Sequence, residues 1–292
     1  MKFKFRFLVC LASAVISSQV YANSKADCEA SELDLCLYHV SDRRSGEIEL
    51  YARNIKHHDM SVVVDLNLTN LSNSADEGGF VVNGQTERLL TVLKPIDPYQ
   101  RTAFQYDTRW TAGDMFAQHD DATIYRLPYA VGPGYYVGQS CEGRLSHLAE
   151  HSRYAVDFSL ANGTRIHAAR GGTVVDLHEV SISGGTSTMH LDKGNYIDIR
   201  HDDGTVATYH HLRTMGVRVE LGQRVETGEF IGFSGDTGYA SSPHLHFGVQ
   251  RVNSELRTLS IPITWKTKRG EIKCPRPGLN LKAVPVKQTH QN

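Results

Sequence analysis

The chain has no excess of charge of either sign, with 31 Lys+Arg against 32 Asp+Glu and a formal net charge of −1 at pH 7. A surface of that balance has no basic field with which to hold a polyanion, so nucleic acid is excluded as a partner. Long hydrophobic runs are missing beyond the first 22 residues, and nothing downstream approaches the ~20 apolar residues that span a bilayer. Helical periodicity is almost absent, and so is the H-E-x-x-H pattern that carries two ligands and a general base on one helix. Cysteine is scarce at 5 residues, whereas histidine is abundant at 15. A composition of 40% hydrophobic and 22% charged residues over 292 positions rules out a disordered, collagen-like or coiled-coil chain and leaves room for about two domains.

Residues 1–22 combine a basic start (Lys2, Lys4, Arg6), an apolar run from Phe7 to Ile16 and a small-residue end at Val20-Tyr21-Ala22. This is the pattern of a cleaved export signal, which implies a periplasmic or secreted protein with no stable membrane insertion after cleavage. Removal would leave 28 basic against 32 acidic residues. Four cysteines would remain, Cys28, Cys36, Cys141 and Cys274, and an even number in an oxidising compartment reads as disulfides rather than metal ligands. The short Cys28/Cys36 separation favours a local clip, which leaves Cys141 for Cys274.

An all-β fold in two domains is expected. From about residue 45 to 130 the chain alternates in short runs, as in Val62, Val64, Leu66 and Leu68 against Asp65, Asn67 and Thr69, the period of a half-buried strand. Residues 23–130 read as an immunoglobulin-like β-sandwich without evident chemistry; His57-His58 and His119-Asp120-Asp121 read as exposed turn residues. Ala130-Val131-Gly132-Pro133-Gly134 interrupts the alternation as a linker. A second β-rich domain follows over 135–265, with 266–292 as a C-terminal tail. Residues 180–194, rich in Ser, Gly and Thr, read as a long exposed loop lining a groove.

The chemistry lies in the second domain. In His244-Leu245-His246, period two sends both imidazoles to the face away from the core while Leu245, Phe247 and Val249 point inward. In Ala207-Thr208-Tyr209-His210-His211-Leu212 the same rule places Tyr209 and His211 on one face and His210 on the other. A third segment holds His147, His151 and Asp157 within eleven residues. Two imidazoles, a carboxylate and an open position are what a catalytic zinc needs.

These segments, in the order YAVDF, ANGTRIHAARGGTVV, GNYIDIRHDDGTVATYHHL, VELGQRVETGEFIGFSGDTG and SPHLHFGV, resemble the lysostaphin-like zinc metallopeptidases, bacterial endopeptidases of peptidoglycan cross-links, over residues 143–252. The resemblance implies a lysostaphin-like antiparallel sheet and one Zn2+ per chain. It makes Asp157 and His246 metal ligands, and His244 and His211 catalytic histidines. His210 becomes a bystander and Tyr209 a possible assistant. The commoner pattern has a His four residues before the Asp, where this chain has Arg153; resemblance to members with a longer segment favours His147 over His151 as the first ligand. The implied activity is hydrolysis of peptidoglycan stem-peptide cross-links through a metal-activated water, with His211 and His244 as proton carriers. The runner-up readings are a non-catalytic wall-binding or activator protein and a protease of other proteins. A protein regulator docking on the first domain is also compatible with the sequence.

Overall fold

The computed structural model describes residues 24–74, 78–143, 146–191 and 193–285; the expected export signal lies outside them. Among the described residues the fold is built almost wholly of strands, with one short α-helix, Lys25–Glu29, capped by the Ser24 side chain accepting from the Asp27 N–H, and a 3-10 turn at Thr188–His190. No helix among the described residues is long and apolar enough to cross a membrane.

Among the described residues seven strands make the first half: β1 (Leu35–Ser41), β2 (Ile48–Asn54), β3 (Met60–Thr69), β4 (Leu71–Asn73), β5 (Phe80–Val82), β6 (Glu87–Pro95) and β7 (Ala103–Ala112). They divide into a sheet ordered β1-β2-β6-β4 and a sheet ordered β5-β3-β7. Leu35, Leu37, Leu50 and Leu90 from the first meet Met60, Val62 and Val82 from the second in one core, so the expected two-sheet sandwich forms. Alternation drives it, because each strand has one face to remove from water.

The second half is dominated by an antiparallel sheet. Its main path uses β8 (Gly134–Gln139), β9 (Val156–Ser159), β10 (Gly172–His178), β11 (Asn195–Arg200), β12 (Val206–Val217), β13 (Arg224–Val225), β14 (His244–Val252) and β15 (Asn280–Lys282), in the order β13-β10-β11-β12-β14-β9-β8-β15. One face is apolar. Phe158, Ile197, Ile199, Ala207, Tyr209, Leu245, Phe247 and Val249 lie there in a core with Trp265, where the Phe247 and Trp265 rings sit 5.0 Å apart.

Three sequence expectations change here. Tyr125, Leu127 and Tyr129, which precede the Gly-Pro-Gly interruption, belong to the core of the large sheet, and Ile124–Arg126 pairs in parallel with Thr264–Thr267. Leu281, in the segment read as a tail, is buried in that same core. His119 is not an exposed turn residue: its side chain is 6% exposed, stacked on Tyr125 at 6.0 Å, because that aromatic needs covering.

The halves are joined by more than the chain. Arg200 of β11 donates to both carboxylate oxygens of the buried Asp59 at 2.6 Å. Gly113 lets the sandwich approach closely: its φ is +110°, and a Cβ there would meet Val252 at 2.7 Å. Both expected disulfides are present, Cys28–Cys36 and Cys141–Cys274. The second closes a separation of 133 residues, and by chain entropy a loop of that order stabilises the fold by about 4–5 kcal/mol.

Candidate active site

The sheet's other face carries a straight row of polar side chains. The register pairs Gln139 with Asp157, Asp157 with His246, His246 with His210, His210 with Tyr196 and Tyr196 with His178. Directly opposed residues of an antiparallel sheet project to the same side, so six strands contribute one side chain each to a single line. His147 joins it from the loop between β8 and β9, fully buried. Its Nδ1–H donates to the Ser140 carbonyl at 2.9 Å, which leaves the Nε2 lone pair facing Asp157 and His246.

Three donor atoms converge. His147 Nε2 lies 3.2 Å from Asp157 Oδ1 and 3.2 Å from His246 Nδ1, and the last two are 2.9 Å apart. A tetrahedral ion with ligand bonds of ~2.0–2.1 Å has ligand-to-ligand edges of roughly 3.3 Å, so the triangle has the dimensions of one tetrahedral face. The second oxygen of Asp157 accepts from Gln139 Nε2 at 3.2 Å, and that amide also donates to Ser146 Oγ. Such outer contacts orient a ligand carboxylate. Gln139 carries no sequence signal; only the register reveals it.

The electrostatics suit a cation. Burial would raise the Asp157 pKa, but the two imidazoles outweigh it and hold the carboxyl well below the usual carboxylate range. Burial likewise opposes the charged form of His147, yet the hydrogen bond and charge of Asp157 prevail and raise its pKa.

His211 and His244 stand beside the triangle, their rings 4.5 Å apart; His211 is 6.1 Å from His246. Each has its tautomer set in the same way: Nδ1–H donates to a carbonyl, Thr237 for His211 and Ser242 for His244, both at 2.8 Å. Each therefore presents Nε2 as a lone pair.

The face assigned to Tyr209 is corrected. His211 is a β-bulge residue with φ +63°, sitting where the β11–β12 register shifts between Asn195 and Tyr196. The extra residue turns His211 to the same side as His210. Tyr209 stays in the core, and its hydroxyl accepts from the Ala169 N–H. His210 is accordingly no bystander inside the sheet: it stacks on Tyr196 at 5.3 Å and lies 5.9 Å from the His246 ring.

The donor group contains His147, Asp157 and His246, and neither His151 nor the exposed Arg153. The His151 carbonyl instead accepts from Gln250 Nε2. His151→Ala is expected to leave metal affinity within about twofold of wild type, well short of the 10–100-fold cost of disturbing a ligand's supporting contacts; a chelator-competition titration reads it, and a tenfold loss would contradict the assignment.

A His-Asp-His triangle, buried at His147 and Asp157 and flanked by two imidazoles whose Nδ1–H groups are committed to carbonyls, has the donor composition of a single metal site. Residues 151–258 match the model of Peptidase family M23; His147 lies four positions before the match. Similar proteins include the glycyl-glycine endopeptidase ALE-1 of Staphylococcus capitis, 37% identical over 97 residues that make up 33% of this chain and 24% of that one. The peptidoglycan DD-endopeptidase ShyA of Vibrio cholerae is 33% identical over 100 residues, 34% of this chain and 20% of the relative. The chain thus spans a quarter or less of the length of these relatives. Among solved structures, the catalytic domain of lysostaphin from Staphylococcus simulans aligns with 43% of this chain and 86% of its own, at 27% identity and a TM-score of 0.28.

Proposed function

We propose that the protein is an exported zinc-dependent endopeptidase that hydrolyses peptide cross-links of bacterial peptidoglycan. The observation that carries this reading is the His147–Asp157–His246 triangle with the paired rings of His211 and His244 beside it. His147, Asp157 and His246 would hold one Zn2+, which supplies Lewis acidity toward the scissile carbonyl and an acidified water. His211 and His244, each held by an Nδ1–H bond to a backbone carbonyl, are the groups that take a proton from the water and deliver it to the leaving amine. Asp157 is anchored by Gln139 and His147 by Ser140, so the donors are in place before substrate arrives. The sandwich, clasped to the sheet through Asp59 and Arg200, positions the groove or docks a regulator. Complete ligands weigh against a non-catalytic wall-binding role.

The test is digestion of purified sacculi by the zinc-loaded protein, with released peptides identified by mass spectrometry. New amino termini within cross-links are expected. No cleavage, or cleavage unchanged by removing zinc with a chelator, rules the reading out.

A further inference from the structure

The supports of two corners of the donor triangle come from one short stretch of chain. Gln139 Nε2 donates to Asp157 Oδ2 at 3.2 Å, and the next residue, Ser140, accepts the His147 Nδ1–H at 2.9 Å through its backbone carbonyl. Ser146, immediately before His147, is tied to the same stretch by the Gln139 amide at 2.7 Å. The third residue in line is Cys141, bonded to Cys274. Two ligands are thus aimed from positions 139 and 140, and a covalent bond stands at 141.

What holds this stretch changes along it. On one side β9 pairs with β8 as far as Gln139. On the other, β15 pairs with Gly134 to Tyr136, and the last backbone bonds from the C-terminal segment reach Val137, whose N–H donates to Leu279 and whose carbonyl accepts from Gly278. Past Val137, the Cys141–Cys274 bond links that segment to the residues that aim the ligands. The corner it clamps is not relaxed: Glu142 and Cys274 both have left-handed backbone, with φ of +56° and +43°, which such residues keep where their surroundings impose it. Cys274 is exposed and Cys141 partly so, whereas Cys28 and Cys36 of the other disulfide are buried. Access decides which bond a reductant opens in a folded protein.

We propose that the Cys141–Cys274 disulfide is a positioning clamp for the ligands His147 and Asp157, and that a dithiol reductant acting on it loosens the hold on the metal. The proposal rests on the zinc reading of the triangle. A thiolate of the reductant attacks the exposed Sγ of Cys274 and the Cys141 thiolate leaves; the second thiol then displaces Cys274 from the mixed disulfide. Two electrons and two protons pass to the cysteine pair, and the reductant becomes a disulfide. With the bond open, the corner relaxes: the Ser140 carbonyl ceases to fix the His147 ring with Nε2 toward the metal, and the Gln139 amide ceases to steady Asp157.

Zinc affinity is measured by chelator competition on the full-length protein and on two double variants, Cys141→Ser/Cys274→Ser and Cys28→Ser/Cys36→Ser, with near-ultraviolet circular dichroism reporting tertiary structure. The first is expected to bind zinc about 10–100-fold more weakly than wild type and the second within about twofold. A time course on zinc-loaded wild type decides the matter even where the first variant fails to fold. The protein is reduced with a water-soluble phosphine, which yields the same two thiols; a chromogenic chelator reads released zinc, and alkylation with mass spectrometry reads which disulfide has opened. Release should track the opening of Cys141–Cys274 while the dichroism is retained. Unchanged affinity in a folded Cys141→Ser/Cys274→Ser, zinc retained after the bond has opened, or release only as the dichroism is lost overturns the clamp. A wild type that binds no zinc overturns the zinc reading itself.

Discussion

His246→Ala is expected to strip the protein of zinc and of activity together. His246 Nδ1 supplies one of the three corners of the donor triangle and is the closer of the two imidazoles to Asp157 Oδ1. Loss of outer-sphere contacts alone costs 10–100-fold in metal affinity or activity, so removal of a ligand should exceed about 100-fold in zinc affinity. The metal-free variant should also unfold more easily, by about 1–3 kcal/mol, because the buried Asp157 loses one of the two imidazoles that compensate it. Elemental analysis and chelator competition measure the first effect, and chemical denaturation the second. A variant that retains one tightly held zinc would remove His246 from the site.

The flanking imidazoles should separate from the ligands in the same assays. His211→Ala and His244→Ala are expected to keep zinc within a few-fold of wild type while lowering kcat by about 10²–10⁴, the usual worth of a positioned proton carrier. Zinc loss in either variant would move that residue into the ligand set. Burial, together with the charges of His244 and His246, pushes His211 down to about 3, so it stays neutral through the range in which an ordinary histidine, near 6.5, gains its proton. A folded-state pKa below the unfolded one means that the unfolded chain binds the proton first as the medium is acidified. The associated stability is whole above about pH 6.5 and drains away toward pH 3. His201, pushed down to about 3 mainly by burial, adds in the same direction. Replacing His211 by Ala should therefore reduce the stability lost between pH 7 and pH 5; an unchanged loss would mean that the imidazole is not shielded from protons as the geometry requires.

Much of this centre is legible in the chain itself, because it depends on parity. Leu245, Phe247 and Val249 need burial, so His244 and His246 must share the other face, and they do. Cysteine count and spacing sufficed for both disulfides. The choice of His147 over His151 came from resemblance, and its physical basis, an Nδ1–H tied to the Ser140 carbonyl, appears only in three dimensions. Two features escaped. Nothing in Tyr-His-His-Leu announces a bulge, since no glycine or proline marks it. Gln139 approaches Asp157 only through the pairing of β8 with β9. Alternation reports which face a residue takes, whereas the neighbour it meets across the sheet is decided by pairing, which local pattern does not encode.

The bulge at His211 works on its strand as a reading-frame shift works on a gene. From Tyr209 to Leu212 the strand reads in, out, out, in: Tyr209 and Leu212 are both in the core, and the two adjacent histidines face the site between them. A single-residue deletion in this quartet would restore strict alternation by sacrificing either a core side chain or a site histidine, while Leu212 and the residues beyond it keep their sides. Substitutions here can be graded one group at a time, but length cannot: the spacing between Tyr209 and Leu212 is itself part of the candidate site.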